Sequence, residues 1–238
     1  SIFISSFIKI AKNNKLRPID SSELFPKKNI KELGGKPLIS HTIECAIASK
    51  LVTQIVVTTD ADDIMSVAES YPITTIKRPA ELSDDYSNVV DAAMHAYQML
   101  DENFDVLILL QPTAPFRTTK DLDEVIKMFE DVDLEGVISV VPMNEIHPAR
   151  MYELDSQSKM SSLLPNGESL RRQDIKPVYY RNGCFYAVRV DAFLKQKKFM
   201  VENKKAYIMN PEWLINIDTP RDFMLAQLLF NEWKNQNY

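Results

Sequence analysis

The chain has 238 residues, of which 45% are hydrophobic and 26% charged, and its formal net charge is -5. This size suits one complete α/β core, and the net negative charge argues against a nucleic-acid partner. No apolar run reaches the ~20 residues that a membrane span requires, and the first residues lack the basic start and cleavage site of a signal peptide. We therefore expect one cytoplasmic domain over residues 1–238 that binds neither membranes nor nucleic acid.

Two residue types narrow the function classes further. Cys45 and Cys184 have neither a metal-binding spacing nor enough partners for a disulfide framework, so we expect two buried free thiols. Glycine occurs only five times, and the first is Gly34. The chain therefore has neither a Gly-x-Gly-x-x-Gly loop nor a Walker A loop, which excludes the ordinary dinucleotide-binding and P-loop classes.

Strand-like apolar runs alternate with amphipathic helical patterns along the first 140 residues. In chain order we predict a strand at 2–10, a helix at 38–51, a strand at 54–58, a helix at 62–71, a strand at 73–76, a helix from Ser87 to about residue 100, and a strand at 105–110. Thr118 and Asp121 form a capping-box pattern that begins the next helix, and a strand follows at 137–141. This alternation predicts the fold class α/β, with a Rossmann-like, mainly parallel sheet and helices on both faces.

The alternation lapses between Pro142 and Pro177. Within this segment, Pro165-Asn166-Gly167 predicts a hairpin or an excursion from the main sheet. A strand at 179–190, a short helix and a strand at 206–208 follow. Thr219-Pro220 then predicts the start of a last helix that runs toward Trp233.

The segment from Leu110 to Arg117 is the most informative candidate site. Five consecutive apolar residues, 106–110, suit a strand that is buried on both faces, and open parallel sheets bind ligands beyond the carboxyl ends of such strands. The two prolines that follow restrict the backbone, so Gln111, Thr113 and Arg117 stand on a rigid loop. Taken alone, the segment is equally consistent with an ordinary strand-to-helix turn.

A second candidate is the basic segment that precedes the first helix. Lys27 and Lys28 lie there, and ammonium groups can neutralise the oxygens of a triphosphate. A lysine pair considered alone is more often solvated surface.

Six short motifs follow one another in order along the chain: Lys28-Asn29-Ile30 with Gly35-Lys36-Pro37-Leu38-Ile39, Thr58-Thr59-Asp60, Arg78-Pro79-Ala80-Glu81-Leu82, Leu110 to Arg117, Arg171-Arg172-Gln173-Asp174 with Tyr180-Arg181-Asn182-Gly183, and Ile217-Asp218-Thr219-Pro220. Together, over about residues 26–230, they resemble the CMP-sugar acid synthetases, also called acylneuraminate cytidylyltransferases. The resemblance implies transfer of CMP from CTP to a 2-keto sugar acid, nine-carbon or related, with release of pyrophosphate.

The resemblance also implies roles for individual residues on the nucleotide side. Lys28 and Asn29 would hold the phosphates and the ribose, and Arg78 would help to read the cytosine. Ser87 and Ser22 are further candidates for CTP binding. Lys28 would also take part in catalysis.

On the sugar-acid side, the resemblance assigns Gln111, Thr113, Arg172, Gln173 and Asn182. Arg172 is the second catalytic candidate, because its planar fork matches a carboxylate or a phosphate.

A magnesium ion is the implied cofactor, since its hard oxygen ligands match phosphate chemistry. Asp218 is the best ligand candidate and Asn216 the second. The segment 142–177 resembles the dimerisation element of the family, which implies a homodimer.

Three of these assignments have structural alternatives. Asp218 could simply place a negative charge at the start of the last helix. Arg78 could lie on a surface turn. Asn182-Gly183 could be a β-bulge without a binding role.

Two departures from the family pattern leave a second function open. Counting back from Lys28, the glycine-containing phosphate loop of the family corresponds to residues 19–24, where Ser22 is retained and Glu23 replaces a lysine. Asn216 stands where the family usually has an aspartate. The alternatives are therefore an impaired relative that binds nucleotide or sugar acid without efficient turnover, or an enzyme for legionaminate or pseudaminate. The sugar-1-phosphate nucleotidyltransferases fit less well.

Overall fold

The computed structural model describes residues 2–5, 25–82, 89–143 and 146–238, with the side chains of residues 2–5, 80 and 172 excepted. The predicted first strand is therefore described only from Ile2 to Ser5. Three residues discussed above, Ser22, Glu23 and Ser87, lie outside the described residues.

The described strands and helices alternate along most of the chain. The strands are β1 (Ile2–Ser5), β2 (Glu32–Leu33), β3 (Lys36–Pro37), β4 (Ile55–Thr59), β5 (Thr74–Lys77), β6 (Val106–Leu110), β7 (Gly136–Met143), β8 (Tyr152–Leu154), β9 (Met160–Ser162), β10 (Val178–Arg189) and β11 (Lys204–Ile208). The α-helices are α1 (Leu38–Ile47), α2 (Asp62–Ala68), α3 (Val89–Gln98), α4 (Thr119–Lys127), α5 (Val190–Gln196) and α6 (Pro220–Asn237).

Seven of the strands form one sheet in the order β11-β7-β10-β6-β1-β4-β5. Four neighbouring pairs are parallel: β1 with β4, β1 with β6, β4 with β5, and β11 with β7. Strand β10 runs antiparallel to both of its neighbours, β6 and β7. The sheet is therefore mixed, and its antiparallel strand lies directly beside the strand that carries the candidate loop.

Alternate residues of β6 belong to different hydrophobic clusters, as expected for a strand that is covered on both faces. Ile108 and Leu110 pack in one cluster with residues of α1, α2 and α4. Leu107 and Leu109 pack in the other with residues of α3 and α5. A third cluster joins α6 to the start of α1 and to Phe116, whose ring stacks on Trp233 with centroids 5.0 Å apart.

One predicted helix ends earlier in the structure, and one predicted helix cap is present. The first helix ends at Ile47 instead of residue 51, because the hydroxyl of Ser49 accepts the backbone N–H groups of Leu51 and Val52 and turns the chain. The predicted capping box of α4 is present: Thr118 accepts from the backbone of Asp121, and the carboxylate of Asp121 accepts from the backbone of Thr118.

The hairpin between 142 and 177 lies elsewhere than predicted. Strands β8 and β9 are joined through Asp155, whose carboxylate accepts the N–H groups of Gln157 and Lys159 at 2.8 and 2.9 Å. An aspartate whose carboxylate accepts hydrogen bonds from the backbone that follows it favours a turn. Asn166 instead has φ 60° before a 3₁₀ turn, Gly167–Ser169.

No α-helix within the described ranges is both long enough and apolar enough to cross a membrane.

Candidate active site

The loop after β6 holds its two polar side chains at the sheet edge. Gln111 and Thr113 are half-buried, whereas Pro112 and Ala114 are buried. The backbone N–H of Ala114 donates to the carbonyl of Gln111 at 3.1 Å, which closes a tight turn. This hydrogen bond and the two prolines both restrict the backbone of the loop.

Arg117 does not line this edge as the sequence suggested. Its side chain is buried, with 1% of the residue exposed, and it turns back beneath the loop. The guanidinium donates to the carbonyl oxygens of Gln111 and Ala114. Burial lowers the pKa of Arg117, and its guanidinium also lies 5.8 Å from the centroid of the Phe185 ring.

A glycine of β10 lies next to the candidate loop. Gly183 has φ +79°, and a Cβ atom at this position would come within 2.8 Å of Oε1 of Gln111. The same Cβ would lie 3.9 Å from Oδ1 of Asn216. The glycine sits where the register of β10 against β7 shifts, between Arg181 and Tyr186. A bulge is thus present, and it leaves room for two polar side chains from separate segments.

The turn before α6 is bonded to the loop after β6. The backbone N–H of Ile217 donates to the carbonyl of Thr113 at 2.7 Å. Next to it, Nδ2 of Asn216 donates to Oδ2 of Asp218 at 2.6 Å. The two predicted metal ligands therefore share one turn, which the loop holds in place.

A second carboxylate fixes the position of Asp218. Thr219 begins α6 with a capping box to Asp222. The carboxylate of Asp222 also accepts the backbone N–H of Asp218 at 3.1 Å. Asp222 is not among the predicted site residues, although the Thr219-x-x-Asp222 spacing is the same capping-box signal as that of Thr118 and Asp121.

Lys28 comes to the same place from the opposite end of the chain. It begins a 3₁₀ turn, Lys28–Ile30, and is buried. Its Nζ donates to Oδ1 of Asp218 at 2.8 Å. Asn29 beside it is buried too, and its Oδ1 has no hydrogen-bond partner among the residues that the structure describes. Lys27, by contrast, is exposed and pairs with Asp63 at 3.0 Å.

Arg78 lies at the end of β5 and is buried, so it does not lie on a surface turn. Its guanidinium pairs with Oδ1 of Asp60 at 2.5 Å, and its backbone N–H donates to the carbonyl of Thr59 at 2.9 Å. Two of the motifs that carry the resemblance, one at the end of β4 and one after β5, are thus in direct contact.

The remaining sugar-acid candidates are placed differently from one another. Asn182 is buried inside the sheet, where its Oδ1 accepts from Ser139 at 2.6 Å and from the backbone of Cys184 at 3.3 Å. Its amide is therefore occupied by partners within the protein. Gln173 is exposed, in a 3₁₀ turn, Arg172–Asp174. Of Arg172, only the backbone is described.

The described residues contain no group of three or more His, Cys, Asp or Glu side chains that could hold a metal ion. Asp218 and the Oδ1 atom of Asn216 are the available oxygen donors in the turn. Magnesium in nucleotide sites is commonly held by one or two carboxylates together with phosphate oxygens and water. This donor set is thus compatible with a metal that binds together with a nucleotide.

A cavity of about 300 Å³ lies between α1 and α6. Its lining includes His41, Arg117 and Trp233, but not Lys28, Gln111, Thr113 or Asp218. Burial lowers the pKa of His41, whose Nε2 lies 2.7 Å from the carbonyl oxygen of Leu33. This cavity is separate from the edge where Lys28, Gln111 and Asp218 meet.

Comparisons with known proteins show which family this chain resembles over most of its length. A family model described as "Cytidylyltransferase" matches residues 20–232. The CMP-N,N'-diacetyllegionaminic acid synthase of Legionella pneumophila is 33% identical over 215 residues, which cover 87% of this chain and 91% of the relative. An N-acylneuraminate cytidylyltransferase of Streptococcus agalactiae is 30% identical over 214 residues, covering 88% of this chain but 51% of the relative. The chain thus spans about half the length of this streptococcal relative.

A solved structure of CMP:2-keto-3-deoxy-manno-octonic acid synthetase complexed with CTP has the same fold. Its TM-score is 0.67 at 16% sequence identity, with 97% of this chain and 98% of that chain covered. The family match extends over most of the chain, and the matched range includes Lys28, Gln111 and Asp218. The chain belongs to the cytidylyltransferase family.

Proposed function

We propose that this protein transfers CMP from CTP to a 2-keto sugar acid of the sialic, legionaminic or pseudaminic class and releases pyrophosphate. The observation that carries the proposal is the contact between Lys28 and Asp218, which are 190 residues apart in sequence. Through Ile217 and Thr113, this contact is continuous with the loop that carries Gln111. A cation, a carboxylate and a rigid polar loop therefore share one sheet edge, as transfer between an anionic donor and a polyhydroxy acceptor requires.

In the proposed reaction, the anomeric hydroxyl of the sugar acid attacks the α-phosphorus of CTP. The new P–O bond forms as the bond between the α-phosphorus and the bridging oxygen breaks, pyrophosphate leaves with that electron pair, and the hydroxyl proton passes to water. Such transfers depend on positioning and on neutralisation of phosphate charge. Lys28 supplies a preorganised ammonium group for this purpose.

Gln111 and Thr113 are proposed to orient the sugar acid, and Arg172 with Gln173 to bind its carboxylate or a phosphate. Asn29 would accept a hydrogen bond from the nucleotide, because its buried Oδ1 lacks a partner in the described part of the chain. The described contacts of Asn182 favour a different role from sugar binding. We propose that it stabilises the bulge that contains Gly183.

We further propose that Asp218 and Asn216 hold a magnesium ion. The ion would supply additional positive charge at the phosphate oxygens. Asp218 would then exchange its ion pair with Lys28 for the metal, and Lys28 would be free to contact phosphate. Replacement of the usual aspartate by Asn216 leaves one anionic ligand instead of two, so we expect a high magnesium requirement.

One observation favours a second candidate function, nucleotide binding without efficient turnover. Both carboxylate oxygens of Asp218 are engaged, one by Lys28 and the other by Asn216. If neither partner releases the carboxylate, CTP can bind without assembly of a metal site.

Pyrophosphate release tests the two candidates. The protein is incubated with CTP, magnesium and, separately, sialic, legionaminic and pseudaminic acids, and CTP binding is measured by calorimetry. We expect pyrophosphate with one of these acids, and none when UTP replaces CTP. Absence of pyrophosphate with every acid, alongside intact CTP binding, would overturn the transfer reaction and support the second candidate.

We also propose a homodimer that associates through residues 142–177, and a cytoplasmic location. Support for the dimer comes from the exposed apolar side chains of the hairpin β8–β9, which include Tyr152, Leu154 and Met160. Support for the location comes from Cys45 and Cys184, which are both free thiols, as is usual in a reducing compartment.

A further inference from the structure

Arg117 is a buried cation whose partners are backbone carbonyl groups. It forms no ion pair with any residue in the described ranges, and its hydrogen bonds go to the carbonyl oxygens of Gln111 and Ala114. A buried charge is costly unless hydrogen bonds satisfy it. Nη1 has no hydrogen-bond partner among the described residues, so the carbonyl groups bound by Nε and Nη2 are what compensates this charge, and the charge in turn fixes the loop.

The planar shape of the guanidinium explains how one side chain can hold two points of the loop. Nη2 donates to both carbonyl oxygens, and Nε donates to that of Ala114 at 3.0 Å. Phe185 of β10 lies against the guanidinium, with 5.8 Å between its ring centroid and Cζ. A lysine ammonium has no such fork, so it cannot reproduce this arrangement.

The loop that Arg117 fixes contacts other segments of the candidate site at two points. The Gln111 side chain lies against Gly183, and the Thr113 carbonyl accepts the N–H of Ile217 at 2.7 Å. Gln111 is one of the two residues whose carbonyl group Arg117 binds, and Thr113 lies between those two residues in sequence. A change in the Arg117 bonds would thus move Gln111 and Thr113 together.

We propose that Arg117 is a positioning residue for the sugar-acid side of the site, which Gln111 and Thr113 form. It touches no substrate, but it fixes the backbone that carries these two side chains. This inference rests on the proposed transfer reaction and adds to it a residue that acts from beneath the site. Since Lys28 and Arg78 belong to other segments, the effect should fall on the sugar acid and not on CTP.

Arg117→Lys tests the proposal, and Arg189→Lys is a matched control. Arg189 also donates from Nε and Nη2 to backbone carbonyls, those of Leu134, Phe129 and Asp131, and its guanidinium lies 5.5 Å from the centroid of the Phe129 ring. These partners lie between α4 and β7, away from the candidate site. A purely structural role predicts that both substitutions lower stability and leave the sugar-acid kinetics unchanged.

For Arg117→Lys we expect kcat/KM for the sugar acid to fall about 10-fold to 100-fold, because small misplacements of a positioned group have effects of this size. The Kd for CTP should stay within about twofold of the wild type, and Arg189→Lys should leave both constants within about twofold. Equal effects on CTP and sugar acid, or equal effects of the two variants, would overturn the proposal.

Amide hydrogen exchange separates failure of this inference from failure of the proposed function. In Arg117→Lys the N–H groups of Ala114 and Arg117, which donate to carbonyls within the loop, should exchange faster, and in Arg189→Lys they should not. Unchanged exchange in Arg117→Lys overturns the positioning role even if the wild type is active. Absence of turnover in the wild type overturns only the proposed function. If Arg117→Lys does not fold, Arg117→Gln, which removes the buried charge and keeps an amide donor, is measured in the same way.

Discussion

Lys28 and Asp218 form an ion pair that is neither fully exposed nor fully buried. The side chain of Lys28 is 11% exposed and that of Asp218 is 36% exposed, with 2.8 Å between Nζ and Oδ1. Exposed ion pairs contribute about 0–1 kcal/mol, whereas an unpaired charge in a dry site is strongly unfavourable. The burial of Lys28 therefore implies that it needs an anionic partner at all times, either Asp218 or a bound phosphate.

Substitution of Lys28 tests this exchange of partners. Lys28→Met should lower kcat/KM for CTP by about 10²-fold to 10³-fold, because one preorganised charge is lost where phosphate charge develops. The measurement is pyrophosphate release at saturating sugar acid. Lys27→Met is the control: Lys27 is 68% exposed and pairs with Asp63, so its loss should change kcat/KM by less than about twofold. An equal effect of both substitutions would contradict the assignment of Lys28.

Gly183 allows a second prediction at the scale of one residue. Gly183→Ala introduces a Cβ within 2.8 Å of Gln111 Oε1, at a φ of +79°. Left-handed backbone costs an alanine about 1–2 kcal/mol, and displacement of Gln111 should raise KM for the sugar acid about 10-fold. Urea unfolding and steady-state kinetics measure the two effects.

Substitution of Gly35 separates the effect of backbone strain from the effect of a steric contact with Gln111. It has φ +82°, and an added Cβ would meet no atom within 4 Å. Gly35→Ala should therefore lower the free energy of unfolding by a similar amount and leave KM for the sugar acid unchanged. A rise in KM in Gly35→Ala would show that strain alone disturbs the site.

At the scale of elements, two helices begin with the same capping box but only one of them adjoins the site. Thr118 starts α4 and Thr219 starts α6. Thr118→Ala and Thr219→Ala should each lower the free energy of unfolding by about 1 kcal/mol, since each removes one cap. Only Thr219→Ala should change the response to magnesium, because its partner Asp222 also accepts the N–H of Asp218.

The magnesium concentration for half-maximal activity measures this difference. We expect an increase of about 10-fold in Thr219→Ala, the size typical when a residue that orients a metal ligand is lost. Thr118→Ala should match the wild type. The same shift in both variants would mean that general loss of stability, and not the position of Asp218, controls the metal response.

The elements that were predicted well are those whose signals are local. The capping box of Thr118 and Asp121, the buried strand 106–110 and the helix start at Thr219-Pro220 each depend on a few neighbouring residues, and each is present. The turn of β8–β9 was placed too far along the chain because Pro165-Asn166-Gly167 is the stronger sequence signal. The carboxylate of Asp155 decides the turn through hydrogen bonds to its own backbone.

The features that the sequence did not indicate are the directions of two side chains, which depend on the folded backbone around them. Arg117 belongs to a site motif, yet its side chain turns inward because the carbonyls of Gln111 and Ala114 are its partners. Asn182 also lies in a motif, and its amide is engaged by Ser139, which is 43 residues away in sequence. Neither orientation follows from local spacing.

At the scale of the whole molecule, the direction of β10 explains how the site assembles. Its register pairs Tyr186 with Leu109 and Arg189 with Val106, so earlier residues of β10 lie beyond the carboxyl end of β6. The bulge with Gly183 therefore falls beside Gln111. A parallel strand in this position would bring its own carboxyl end there instead, so the antiparallel strand is what places a mid-strand glycine in the site.

The hairpin β8–β9 exposes an apolar patch that suits association of two copies of the chain. Leu154 is 65% exposed, and other apolar side chains nearby are exposed as well, such as Tyr152 and Met160. A symmetric dimer buries such a patch against the same patch of a second copy. Leu154→Asp should therefore convert a dimer into a monomer in sedimentation velocity experiments, with the free energy of unfolding of the monomer unchanged to within about 0.5 kcal/mol.

Leu228 on α6 is the matched control, because it is 72% exposed but lies outside residues 142–177. Leu228→Asp adds the same charge at a comparably exposed leucine, so it should leave the dimer intact. A wild type that sediments as a monomer at every concentration would contradict the proposed homodimer. Dissociation by Leu228→Asp but not by Leu154→Asp would show that the interface lies on α6 and that the hairpin has no role in association. Met224 and Leu225 are exposed beside Leu228 on that helix.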